Sequence, residues 1–168
     1  MARRTRTLPD PTPIAPAAPD SACEPSVEAV DTRFLRTLVG YNTRRASLSI
    51  IGVFMERMAV YDLKVVDFSV LSLVAHNPGI TSRQLCATLN VLPPNLVGLI
   101  AALERRGLIE RRPHPSDGRA MGVHLTPAGA ELTEQAEQTA AQLEQDATAR
   151  LTAAERKTLI RLLQKVYD

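Results

Sequence analysis

The sequence predicts a mainly α-helical protein that carries one small β-hairpin. Apolar residues recur at intervals of three or four along most of the chain, as they do on one face of a helix. Helix-capping residues precede several of these stretches. Only between residues 108 and 125 does the pattern change to that of two short strands. With 168 residues, the chain has the length of about one domain with an appendage.

The composition excludes several classes of protein. Apolar residues make up 45% and charged residues 23% of the chain, which is ordinary for a soluble globular protein, and no apolar run approaches the ~20 residues of a membrane span. Prolines follow the basic N-terminus where a signal peptide needs an apolar stretch, so we predict no secretion signal and a cytoplasmic location. Two cysteines support neither a disulfide framework nor a four-cysteine zinc site.

The N-terminal part divides into an arm and two helices. Residues 1–28 hold six of the twelve prolines and almost no large apolar side chains, so we expect a disordered Pro/Ala-rich arm. A long helix is predicted from about Asp31 to Ala59, within an N-terminal unit of residues 31–62. Its apolar residues lie on more than one stripe, which indicates that a partner chain covers part of it. A second helix is predicted from Val65 to His76.

Two short helices joined by a tight link follow, which is the helix-turn-helix arrangement. Thr81 and Gln84 have the spacing of a capping box, which starts the first helix. The second helix begins at Pro93, because proline is tolerated where the N–H has no helical partner. It ends at Gly107, since glycine suits the left-handed position after a helix. The residues predicted to face outward from the second helix are Asn95, Gly98, Ala101, Ala102 and Arg105.

A hairpin and two more helices complete the chain. Residues 108–112 and 121–125 are predicted as strands on either side of a turn-rich tip, which together form a β-hairpin wing. Thr126 caps a helix that extends to about Arg150, and a further capping box at Thr152 starts a last one. The predicted units are a winged helix-turn-helix domain at 63–126 and C-terminal helices at 127–168. We expect the helices of 31–62 and of 127–168 to form a dimerisation region.

The charge distribution says more than the net charge of +2. Residues 81–125 contain six arginines and three acidic residues, whereas residues 127–155 contain six acidic residues and one arginine. This division indicates a polyanion-facing part joined to a part that faces elsewhere, although two solvated faces of unlike charge would give the same counts. No aromatic residue lies between Ser69 and Val166, which argues against single-stranded nucleic acid as the ligand.

Three motifs stand in a recognisable order: LERRGLI at 103–109, Asp117 and Arg119 in the tip, and LTPAG at 125–129. With them, the chain from about Asp31 to Tyr167 resembles the MarR family of winged helix-turn-helix transcriptional regulators. The resemblance implies a homodimer that binds double-stranded promoter DNA. It also implies a repressor that is released by a small effector, such as an aromatic anion. We predict no cofactor, no metal site and no membrane association.

The candidate recognition helix extends from Pro93 to Arg106. In a dimer, two such helices would enter successive major grooves about 34 Å apart. Asn95 suits adenine, and Pro94 or Val97 suits a thymine methyl group, but most outward residues are small or apolar. We therefore expect the wing and the shape of the DNA to supply much of the specificity. The candidate DNA-binding residues are Arg83, Pro94, Asn95, Val97, Gly98, Arg105, Arg111, Arg112, Asp117 and Arg119.

The roles of the wing residues come from the resemblance. It implies that Arg119 enters the minor groove, that Asp117 braces the wing, and that Arg111 supports the tip or contacts phosphate. A surface turn pair is the alternative for Asp117 and Arg119, and such a pair contributes only about 0–1 kcal/mol.

The effector site is predicted where the dimer helices meet the winged domain, as the resemblance implies. Tyr41, Arg44, Arg45 and His76 are the candidate effector-binding residues, because arginine binds a carboxylate through two hydrogen bonds. Solvated or ion-paired arginines are the alternative. His76 also suits a helix C-terminus, where a cation is favoured.

Three other functions are alternatives to DNA regulation. A thiol redox sensor needs an exposed cysteine with a lowered pKa, but Cys23 lies in the arm and Cys86 beside an apolar core position. A winged helix that binds proteins would fit the modest net charge and the apolar recognition helix. An enzyme is not predicted, because the sequence has no Gly-rich phosphate loop, no zinc-protease motif and no nucleophile elbow.

Overall fold

A computed structural model describes residues 30–114 and 117–167, with the side chains of 114 and 117–120 excluded. The predicted arm at 1–28 lies outside the described residues. The fold is mainly helical with a small sheet, as predicted. In chain order the elements are α1 (Arg33–Arg36), α2 (Val39–Met58), a 3-10 turn (Ala59–Tyr61), α3 (Val65–His76), β1 (Ile80–Thr81), α4 (Ser82–Leu89), α5 (Pro93–Arg105), β2 (Ile109–His114), β3 (Asp117–Leu125), α6 (Pro127–Ala147) and α7 (Ala153–Tyr167).

The wing is the hairpin of β2 and β3, and it belongs to a three-stranded antiparallel sheet of order β1-β3-β2. Ile109 pairs with Leu125 at its base and His114 with Asp117 at its end. Both strands extend further toward the tip than the sequence predicted. β1 was not predicted: Ile80 pairs with Val123, which attaches the start of the helix-turn-helix to the wing.

The helix-turn-helix forms through the local signals read from the sequence. The Gln84 N–H donates to Thr81 Oγ1 at 3.3 Å, and the Thr81 N–H donates to Gln84 Oε1 at 2.9 Å. These two bonds complete the predicted capping box of α4. Pro93 is the first residue of α5. Gly107 follows that helix with a φ of +69°, a conformation that favours glycine.

The prediction of one long helix from Asp31 to Ala59 was wrong. The helix is interrupted at Thr37 and Leu38, where Leu38 has extended backbone angles. The Thr37 hydroxyl donates to Phe34 O at 2.7 Å, and the Asn42 amide donates to Arg36 O and Leu38 O, both at 2.8 Å. These side chains satisfy carbonyl groups that a continuous helix would pair within the backbone, and so they stabilise the break.

The hydrophobic core lies between α3, α4, α5, α6, the sheet and the C-terminal end of α2. Its fully buried members include Met58, Leu71, Leu85, Ile100 and Leu143. The described residues of α1 and α7 contribute nothing to this core. The interior of the fold is therefore the winged domain with α6, whereas the terminal helices lie outside it.

The junction of α6 with the wing is tightly packed. Thr126 caps α6, as predicted: its Oγ1 accepts from the Gly129 N–H at 3.0 Å and donates to Gly107 O at 2.6 Å. A Cβ atom on Gly129 would lie 1.8 Å from Leu108 O, far closer than atoms can approach. Gly129 is therefore required by the contact between the helix and the strand.

Candidate nucleic-acid interface

The outer face of α5 is exposed while its inner face is packed. Leu96, Ile100 and Leu103 are buried, whereas Asn95 and Gly98 lie in solvent, and Val97 is 60% exposed. Of the other residues expected to face outward, Pro94 and Arg105 are exposed, and Ala101 and Ala102 are half-buried. The helix therefore presents a short, largely uncharged surface near its N-terminus and one arginine at its C-terminal end.

Arg83 of α4 lies next to the start of α5. The two helices meet at a bend of 115°, and Arg83, Pro93 and Val97 line one shallow groove of about 290 Å³ between them. The Arg83 side chain is exposed. A cation thus stands beside the uncharged end of the recognition helix, where it suits a phosphate group that flanks the base edges.

The arginines at the base of the wing have partners within the protein. Arg111 Nε lies 2.9 Å from Glu104 Oε1, and its second donor lies 3.0 Å from Glu104 Oε2, which is a two-bond pair between the wing and the end of α5. Arg112 is paired with Glu110 on the same strand. Arg111 therefore occupies a supporting position, and its charge is largely neutralised.

The tip residues Asp117 and Arg119 belong to the first part of β3, at the end of the hairpin away from the core. Their side chains lie outside the described residues, so their predicted roles stay predictions. Among the described residues of the interface, Arg83 and Arg105 are the two arginines of the candidate set without an ion pair at 4.0 Å or less.

Arg106 is a residue that the sequence analysis missed. Its guanidinium turns away from the outer face of α5 and donates to two backbone carbonyl groups, those of Asp62 at 2.7 Å and Tyr61 at 2.8 Å. Arg106 directly precedes Gly107, the glycine that follows α5. Basic residues near a helix C-terminus often donate to carbonyl groups at a helix end, so an interaction of this kind was predictable. The partners, however, are 44 and 45 positions away in the sequence, and no local pattern identifies them.

The candidate effector residues occupy two separate elements. Tyr41, Arg44 and Arg45 lie in the N-terminal half of α2, where Tyr41 is half-buried and both arginines are exposed. His76 ends α3, and its Nε2 lies 3.0 Å from Glu137 Oε1 of α6, which also accepts from the Ser72 hydroxyl at 2.7 Å. His76 is thus engaged with α6.

Other chemistry receives little support from the geometry. Cys86 is half-buried beside Leu96 and Val97, and Cys23 lies outside the described residues. Within the described parts of the chain, no three His, Cys, Asp or Glu side chains could together hold a metal ion. No single described helix has both the length and the apolarity to cross a membrane, and α4 and α5 meet that test only as a bent pair.

The helix-turn-helix with its hairpin defines a winged-helix DNA-binding protein. The MarR family matches residues 61–120. The putative transcriptional regulatory protein for the hcr operon of Thauera aromatica is 32% identical over 130 residues, which are 77% of this chain and 78% of the relative. The chain therefore belongs to the MarR family of transcriptional regulators.

Solved structures show the same likeness. The transcriptional repressor CouR, bound to a 23-mer DNA duplex, has a TM-score of 0.78 and 33% identity, with 83% of this chain and 99% of CouR covered. BpsR of Bordetella bronchiseptica, whose DNA binding is regulated by 6-hydroxynicotinic acid, has a TM-score of 0.72 and 27% identity, with 78% and 94% covered.

Proposed function

We propose that this protein is a homodimeric repressor that binds a pseudo-palindromic promoter sequence and releases it when a small aromatic anion binds. The observation that carries this proposal is the two-sided construction of α5, whose inner face is buried in the core while Asn95, Val97 and Gly98 are exposed beside Arg83. A helix of this kind fits the major groove.

The dimer is supported by apolar surface on the terminal helices. Phe34 is 75% exposed, and Leu48, Leu159, Leu162 and Val166 are at least 40% exposed. α2 and α7 also enclose a groove of about 700 Å³ lined mainly by apolar residues. A contiguous apolar surface of this kind marks an association site. A second copy of the chain is the occupant that we propose, in which the units 31–62 and 127–168 form the interface and 63–126 binds DNA.

We propose two types of contact with DNA. Arg83, Arg105 and Arg112 contact phosphate groups. Arg111, paired with Glu104 at the end of α5, holds the wing so that Arg119, braced by Asp117, enters the minor groove. Base readout comes from Asn95 and from apolar contact of Pro94 and Val97 with thymine methyl groups, while Gly98 lets the backbone approach closely. CouR, a repressor solved on duplex DNA, supports both the ligand and the sign of regulation.

The test uses the full-length protein and a duplex selected from a random pool. Arg119→Ala is expected to weaken binding about tenfold or more in a fluorescence anisotropy titration, whereas Arg150→Ala, which removes an exposed arginine elsewhere, leaves the affinity unchanged. The logarithm of the affinity falls with the logarithm of the salt concentration with a slope of about −0.9 for each phosphate engaged. Failure to select any preferred duplex contradicts sequence-specific binding, and an unchanged Arg119→Ala affinity removes the wing from the interface.

The effector proposal rests on Tyr41, Arg44, Arg45 and His76 and on BpsR, whose ligand is a hydroxylated aromatic acid. Binding of such an acid is expected to release heat in calorimetry and to lower the affinity for DNA. Arg44→Ala and Arg45→Ala should remove both effects without changing the affinity for DNA in the absence of the acid. A panel of phenolic acids that gives neither heat nor release would contradict this part of the proposal.

A further inference from the structure

The last turn of α5 directs three successive side chains to three different places. Glu104 is paired with Arg111 of the wing, Arg105 is exposed, and Arg106 donates to the carbonyl groups of Tyr61 and Asp62. The end of the recognition helix is therefore attached to the wing on one side and to the segment between α2 and α3 on the other. Only Arg105 among the three is free of a partner in the described part of the chain.

The Arg106 contact has favourable chemistry. Tyr61 ends the 3-10 turn that continues α2, and Asp62 follows it with a φ of 50° and a ψ of 47°. Carbonyl groups at the end of a helical segment lack intrahelical partners and carry partial negative charge. A planar guanidinium can donate to both of them at once from separate nitrogen atoms, at 2.7 and 2.8 Å.

The segment that Arg106 holds is itself fixed. The Tyr61 hydroxyl lies 2.9 Å from Thr139 Oγ1 of α6, and the flanking residues Met58 and Leu63 are buried. Arg106 therefore attaches α5 to a rigid point that joins α2, α3 and α6. A mobile loop could not fix the position of α5 in this way.

From this geometry we infer that Arg106 is a positioning residue that sets the separation of the two recognition helices in the dimer. The inference rests on the proposed function, because it needs α2 at the dimer interface and α5 in the major groove. Two helices that must enter grooves about 34 Å apart can discriminate operator spacing only if each is fixed to the dimer interface. Arg106 adds to the attachment that the buried face of α5 provides, and it does so without touching DNA.

The test compares full-length variants on duplexes whose two half-sites are separated by the selected spacing or by one base pair more or less. The wild-type protein is expected to lose about tenfold in affinity for each change of one base pair. Arg106→Ala is expected to bind the selected duplex about tenfold more weakly, because only about a tenth of the molecules would hold both helices at the required separation, and to discriminate the three spacings less than about threefold. Its salt slope stays that of the wild type, because no phosphate contact is lost.

Two further variants separate positioning from other roles. Arg105→Ala removes the neighbouring arginine and is expected to reduce the salt slope by about one unit while it keeps the spacing preference. Tyr61→Phe removes the bond to Thr139 without a change in charge, and it should relax the spacing preference in the same direction but less. Tyr61→Phe also provides an independent test of the attachment between α5, the segment after α2 and α6, if Arg106→Ala is poorly folded.

The outcomes are distinguishable. Wild-type spacing preference in both Arg106→Ala and Tyr61→Phe overturns the positioning role alone, and so does a fall in the salt slope of Arg106→Ala like that of Arg105→Ala. A wild-type protein with no spacing preference overturns the dimeric DNA-binding proposal, and the positioning role with it.

Discussion

The winged domain and the terminal helices differ in how completely one chain can bury them. In the winged domain and α6, every helix has an inner face in the core, as Leu71, Leu85, Ile100 and Leu143 show. In α1 and α7 no described residue is buried, although both helices are rich in large apolar side chains. The first region is buried by its own chain, whereas the described residues of α1 and α7 leave apolar side chains exposed.

This difference matches the two tasks that we propose for the molecule, DNA binding by the winged domain and dimerisation by the terminal helices. A self-sufficient core holds α5 and the wing in fixed relation, so the DNA-facing surface does not depend on a partner. The terminal helices leave apolar area in water, which costs about 25 cal/mol for each Å², and the dimer that we propose would recover this free energy. Tyr61 and Arg106 join the end of α5 to the segment after α2 and to α6, and they therefore link the recognition helix to the C-terminal end of α2.

The largest expected effect tests the packing of the winged region. Gly129→Ala should lower the free energy of unfolding by about 3 kcal/mol or more, because the added Cβ would lie 1.8 Å from Leu108 O and the backbone must move. Gly98→Ala is the matched control: nothing lies within 4 Å of its Cβ position, and alanine should stabilise the helix by about 0.5–1 kcal/mol. Urea denaturation measures both, and equal stabilities would contradict the close approach.

The next effect tests the terminal helices. Leu162→Glu places a carboxylate in the groove between α2 and α7 and is expected to convert the dimer to a monomer in sedimentation, while the circular dichroism of the folded helices persists. Gln164→Glu introduces the same group on a different side of α7, away from the residues that line this groove, and should leave the dimer intact. A dimeric Leu162→Glu protein would show that this groove is not part of the interface.

The third prediction compares the helix caps of the two regions, where we expect smaller changes in stability. Thr126→Ala removes bonds to both the Gly129 N–H and Gly107 O and should lower global stability by about 1–2 kcal/mol. Thr152→Ala removes the cap of α7, which has no buried residue. It should therefore increase hydrogen exchange in α7 with little effect on thermal unfolding of the rest. Equal losses in global stability would mean that α7 unfolds together with the core.

The smallest effect is a dependence on pH at the start of α7. The Thr152 N–H and hydroxyl both donate to Glu155, and they lower the pKa of its carboxyl group. Because the pKa is lower in the folded state, the stabilisation is present above the unfolded value of about 4.3 and is lost as the pH falls through the folded value. The protection factors of the α7 amides, which compare exchange with the intrinsic rate at the same pH, should fall on acidification, whereas Glu155→Gln should remove that dependence.

Local signals explain which parts of the fold were predictable. The Thr81–Gln84 box, Pro93, Gly107 and the Thr126 cap each act within a few residues, and the structure contains all of them. The break at Thr37 was not predictable from periodicity, because the apolar spacing continues through it and side-chain bonds from Asn42 decide the outcome. β1 escaped detection because its two residues become a strand only by pairing with β3.

For the candidate DNA surface, too, the local features were predictable and the long-range contacts were not. Periodicity placed Asn95 and Gly98 on the outer face of α5, where they are exposed. It gave no indication that Glu104 pairs with Arg111 or that Arg106 reaches Tyr61 and Asp62. Such contacts depend on how distant elements pack, and a count of arginines therefore overstates the charge available for phosphate.

The mass of the full-length protein in solution tests the central claim, that a second copy covers the terminal helices. Sedimentation equilibrium at micromolar concentration should give twice the chain mass of 18.3 kDa. A mass of 18.3 kDa under these conditions would contradict the account, because a single chain cannot hold two recognition helices against one duplex.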